Sequence, residues 1–136
     1  MNYYQTKLQL LPGSNYKEVL NSSNKYFSSY RRKTKRQPYI RSAYFNKQKI
    51  FFNLFWLHLF NKPNNIRAER LKLLACGIEL IQKSRNHPES KDNLIKNSEI
   101  LHRFLGITKD KIKFAVQIKE VKRTGKKYLM SIFPYK

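Results

Sequence analysis

The chain has 136 residues, 29 Lys and Arg against 8 Asp and Glu, and a net charge of +21. So few acids argue against a carboxylate cage for calcium or magnesium, and a lone cysteine, Cys76, excludes a disulfide framework or a multi-thiolate zinc site. No cofactor is expected, and a charge of this sign and size needs a polyanion, nucleic acid before an anionic membrane.

In chain order, Pro12-Gly13 is a break, and Ser14 suits the N-cap of a helix running to about Tyr30. Residues 31–42 read as a loop, because Pro38 interrupts helix and the block from Arg31 to Arg36 is almost wholly basic. Arg31, Arg32, Lys33, Lys35, Arg36 and Arg41 are therefore candidate phosphate contacts, with Arg85 and Lys119 further along. The aromatics interleaved with this block, Tyr30, Tyr39 and Tyr44, suit stacking on single strands.

From Ala43 to Phe60 the apolar residues crowd. Phe45, Phe52, Trp56 and Phe60 fall near helical spacing, so a helix buried in the core or facing a partner is expected. The strongly apolar run from Ile50 to Phe60 contains Asn53 and His58 and falls well short of the ~20 residues of a membrane span. The first residues lack the basic-then-apolar order of a signal peptide, so no membrane association and a cytoplasmic location are expected. After the Asn61–Asn65 turn a second helix should run to about Ser84, with Asn64 or Asn65 as its cap and Gly77 marking a close approach. Cys76 in this segment reads as a buried thiol.

Residues 85–98 read as a polar loop. The period then falls to two: Ile112, Phe114, Val116 and Ile118 alternate with Lys111, Lys113, Gln117 and Lys119. Glu99–Thr108 before it and Lys127–Phe133 after it, across short turns, complete an antiparallel arrangement. The fold class expected is α+β: N-terminal helices, then a small antiparallel meander of three to four strands. Two units are expected, a basic helix-and-loop segment 1–42, with flexibility an open option, and an α+β domain 43–136.

Three histidines are present, His58, His87 and His102, and no pair has metal-ligand spacing. RNA brings its own nucleophile, the 2′-OH, so a base, an acid and positive charge suffice to cleave it without a metal. Strand alternation puts Glu99, Leu101 and Arg103 on one face and Ile100, His102 and Phe104 on the other. Arg103, Gln117 and Ser131 are candidates for one polar cluster across three strands.

The stretches Ser98-Glu-Ile-Leu-His-Arg-Phe-Leu-Gly-Ile-Thr108, Phe114-Ala-Val-Gln-Ile-Lys-Glu120 and Lys127-Tyr-Leu-Met-Ser-Ile-Phe-Pro134 resemble small phage and mobile-element proteins of the barnase, EndoU, colicin-nuclease and RelE-like group, metal-independent ribonucleases. The likeness covers about residues 66–134. It implies N-terminal helices, a small sheet bearing the active site, and 2′-OH cleavage of RNA, tRNA or ribosome-bound mRNA included. It adds an antitoxin or immunity protein as a candidate partner. Residue by residue it points to Arg103, Gln117, Lys127 and Ser131, with His102 or His87 moving the proton. In that scheme Arg103 holds the scissile phosphate, Lys127 neutralises developing charge, and Ser131 and Gln117 orient the substrate. The alternative is a non-catalytic basic nucleic-acid-binding protein.

Overall fold

Helix α1 (Tyr16–Lys33) starts at Asn15, not Ser14. The Asn15 side chain accepts from the Glu18 amide at 3.0 Å, and the Glu18 carboxylate accepts from the Ser14 amide and hydroxyl at 2.8 Å each. Both satisfy donors that a helix start leaves open. The architecture, a computed structural model describing residues 3–34 and 36–135, continues with β1 (Tyr4–Gln5) before α1. After it come β2 (Tyr39–Ser42), β3 (Gln48–Phe51), α2 (Asn53–Phe60), α3 (Asn64–Lys72) and α4 (Leu74–Lys83). The chain ends in β4 (Glu89–Asp92), β5 (Glu99–Ile107), β6 (Lys113–Val121) and β7 (Lys127–Pro134).

The expected small antiparallel meander following N-terminal helices is overturned. All seven strands belong to one mixed sheet curved as a half-barrel, in the order β1-β5-β6-β7-β3-β2, with β4 also on β5. Segments β5, β6 and β7 do pair antiparallel in sequence order, but they form the centre of this larger sheet. β1 joins β5 in parallel through Tyr4 and Gly106, and β3 joins β7 in parallel through Ile50 and Lys127.

The missed strands have physical reasons. β1 has two residues, too few to show alternation, and β4 is exposed at all four positions, so neither carries a buried face. The residues expected as one helix from Ala43 split into a hairpin turn, β3 and the shorter α2. Asn46 and Lys47 turn the chain with φ of 56° and 65°, a left-handed pair that an Asn-Lys dipeptide signals more weakly than Asn-Gly. The expected loop 31–42 holds the end of α1 and all of β2. The long second helix is two, broken at Leu73, and Pro63 takes the capping position expected of Asn64 or Asn65.

The core lies between one sheet face and the helices. α4 is buried from Leu74 through Ile81 and meets Ile132 of β7 at Gly77, where a Cβ would collide with the isoleucine side chain. Phe104, Val116, Ile118, Leu129 and Ile132 face this core from the sheet. Val19, Phe27 and Ile40 belong to the same core, and β2 and β3 form one hairpin, so residues on both sides of position 42 share one sheet and one interior.

Candidate nucleic-acid interface

The sheet face turned away from this core is built by the alternate residues. Register places Tyr39 opposite Phe51, Phe51 opposite Tyr128, Tyr128 opposite Lys119, Lys119 opposite Leu101, and Leu101 opposite Lys91. These six residues form one row across six strands, spanning about 24 Å at the usual strand spacing. Tyr39 and Phe51 meet edge to face at 6.0 Å between centroids, and Phe51 lies 5.8 Å from Tyr128. Lys49 Nζ stands 4.6 Å from the Tyr39 ring, the Arg41 guanidinium 5.5 Å from it, and Lys119 Nζ 5.5 Å from the Tyr128 ring. The row is half-buried, with Lys49, Arg41 and Lys91 exposed. Flat rings with cations at their faces offer what a single strand needs, stacking surface and phosphate contacts.

A second, polar row runs beside it: Ser131 opposite Gln117, Gln117 opposite Arg103, and Arg103 opposite Glu89. The Arg103 Nη2 donates to Gln117 Oε1 at 3.4 Å, and its guanidinium lies 5.7 Å from both the Phe133 and Tyr135 rings. Arg70 of α3 also reaches Phe133, at 5.6 Å. Burial holds the Arg70 pKa below its ordinary value, with the Glu69 carboxylate opposing.

The expected catalytic residues are divided by the sheet. Arg103, Gln117 and Ser131 share the outer face. His102 and Lys127 are on the core side, brought together by Glu120, which the sequence reading did not single out. His102 Nε2 is 2.9 Å from Glu120 Oε1, His102 Nδ1 is 2.7 Å from the Ser90 hydroxyl, and Lys127 Nζ is 3.8 Å from the same Glu120 oxygen. Lys127 also donates to Gln48 and to the Gly125 carbonyl. His102 is 8% exposed and Lys127 5%, so neither can meet a phosphate held by Arg103 through the sheet. Glu120 continues the buried phase of Phe114, Val116 and Ile118, and that alternation was the signal that an acid lay beside His102. His87 bonds Tyr44 at 3.2 Å, and Tyr44 and Phe45 link His87 and His102 through Phe104.

The expected phosphate contacts scatter. Arg31 is the last turn of α1 and stacks on Phe27 and Trp56 at 5.0 and 5.4 Å, and Lys33 approaches Tyr30 at 5.9 Å. Arg32 and Arg85 are exposed. Arg36 lines a groove of about 480 Å³ with Tyr39, Lys49 and Phe51, continuous with the aromatic row. Lys35 lies outside the described residues. Lys119 pairs with Glu99 at 3.2 Å. Burial raises the Glu99 pKa, but Lys119, Asn93 and Lys96 outweigh it and leave the carboxyl below its usual range.

Among the described residues no three His, Cys, Asp or Glu side chains gather as a metal site would need, and no helix is long and apolar enough to cross a membrane. No protein-family model, curated protein or solved structure matches this chain.

Proposed function

We propose that this protein binds single-stranded RNA along the outer face of its sheet. The observation that carries the reading is the continuous row Tyr39–Phe51–Tyr128–Lys119, three rings and their cations in register on four neighbouring strands. Bases stack on the rings, and Arg41, Lys49, Lys119 and Arg103 neutralise the backbone. The parallel row of Ser131, Gln117 and Arg103 supplies partners for a 2′-OH, which favours RNA over single-stranded DNA. A cytoplasmic location accords with such a ligand.

Cleavage is the second reading, favoured by one observation: the Ser90–His102–Glu120 relay, in which a carboxylate orients a histidine whose other nitrogen meets a hydroxyl at an exposed edge strand. A 2′-OH in the place of the Ser90 hydroxyl would meet the same base.

One experiment separates the two. A labelled single-stranded RNA is titrated with protein in EDTA and then resolved on a gel. Under the binding reading the RNA stays intact, Tyr39→Ala weakens binding by roughly 1–3 kcal/mol, and Tyr39→Phe keeps the affinity. Products ending in a 2′,3′-cyclic phosphate that vanish with His102→Ala would establish cleavage instead. An unchanged affinity for Tyr39→Ala would remove the row from the interface.

A further inference from the structure

Where the aromatic row ends, at Leu101 and Lys91, a pocket of about 330 Å³ opens between the two rows, lined by Glu89, Ser90, Lys91, Leu101, Arg103 and Gln117. We propose, resting on the strand-binding reading above, that this pocket receives one nucleobase of the bound RNA and selects bases carrying an exocyclic amino group over uracil.

The position comes first. A strand stacked along Tyr39, Phe51 and Tyr128 runs out of rings at Lys119, and the next feature in the row is Leu101, an apolar wall that a base can cover. The volume lies at the small end of the range of ligand sites, enough for one base.

The polar groups then set which base. Arg103 packs against the Phe133 and Tyr135 rings, bonds Gln117 and lines the pocket, so part of its donor fork is fixed in advance for an incoming acceptor. Opposite it stands Glu89. Carboxylates are scarce here, and several are committed: Glu18 at the start of α1, Glu79 to the N-terminal segment, Glu99 to Lys119, Glu120 to His102, and Asp92 to Lys122. Glu89 lies directly across from Arg103 in register, yet its carboxylate makes no hydrogen bond or ion pair with the described residues. An unspent acceptor beside a fixed donor reads a ligand edge offering both an N–H and a lone pair.

Adenine, cytosine and guanine each present an amino group to the carboxylate and a ring nitrogen or carbonyl to Arg103. Uracil has only its ring N–H, flanked by two carbonyl oxygens: when Glu89 accepts that N–H and Arg103 takes one oxygen, the other oxygen is left against the Glu89 charge. The selection therefore arises from repulsion of the wrong base as much as from bonds to the right ones.

The test uses a fluorescent uridine decamer and three versions with one central uridine replaced by C, A or G, titrated at about 0.15 M salt. Wild type should bind each substituted strand about tenfold more tightly than the all-uridine one. Glu89→Gln, an exposed and isosteric change, should erase that gain, because the carboxamide can donate to a uracil carbonyl. If wild type binds all four strands alike, the pocket does not read a base, while strand binding stands. A preference that survives Glu89→Gln also overturns the proposal. If no strand binds at all, the proposal falls together with the strand-binding reading.

Discussion

Glu79 is one of eight carboxylates in the chain and is 7% exposed. It accepts from the Tyr4 hydroxyl at 2.7 Å, from the Lys7 amide at 2.9 and 3.0 Å, and from the Leu8 amide at 2.8 Å. One side chain thus ties the N-terminal segment to α4 and fixes β1 against β5. Desolvation, then the Glu79 carboxylate, pushes the Tyr4 pKa well above that of a free phenol. An acid whose pKa is raised by folding adds stability below its unfolded pKa and loses it as the pH climbs toward the folded value. The protein should therefore lose stability above about pH 10, where an unfolded tyrosine ionises. Tyr4→Phe should flatten that alkaline limb in thermal melts followed from pH 8 to 11. An equally steep limb in the variant would mean that Tyr4 does not drive it, leaving Tyr26, whose pKa is also raised by burial, as the source.

At the scale of elements, the basic block from Arg31 to Arg36 is not one exposed loop. Arg31 closes α1 with its guanidinium over Phe27 and Trp56, whereas Arg32, exposed on the same turn, stacks on no ring among the described residues. Arg31→Gln should cost about 0.5–1 kcal/mol, a fall of roughly 2–5 °C in Tm for a chain of this size. Arg32→Gln should leave Tm unchanged, and equal Tm values for the two variants would refute the packing role. Arg31 also shows where sequence patterning stops. Phe27 lies one helical turn before it, but Trp56 arrives from α2, so spacing alone cannot find the second ring. By contrast the opposite facing of His102 and Arg103, and the pairing of Arg103 with Gln117, were legible because β5 and β6 alternate and the turn between them is short, whereas a bulge in the β6–β7 pairing breaks the alternation of β7 and turns Ser131 outward while Lys127 faces the core. The two parallel pairings and the edge strand β4 were not legible, since they depend on residues brought together only by the folded chain. Of the rings at the heart of the proposed interface, Tyr39 and Phe51 sit on four-residue strands and Tyr128 near the start of β7, before its bulge. There an outward aromatic cannot be told from an inward one without knowing which strand lies alongside.

Over the whole molecule, +21 guarantees attraction to any polyanion and says nothing about where it lands. The proposed contact lies on the outer sheet face, and salt dependence can locate it, because each phosphate neutralised adds about 0.7 to the slope of log K against log salt for a single strand. The decisive measurement compares that slope for wild type, for Arg41→Gln/Lys49→Gln/Arg103→Gln, and for a control carrying three exposed cations changed elsewhere, Lys17→Gln/Lys25→Gln/Lys62→Gln. The sheet-face variant should lose about two units of slope and most of its affinity at moderate salt, while the control stays near wild type. A control that loses as much slope as the sheet-face variant would contradict binding at this face.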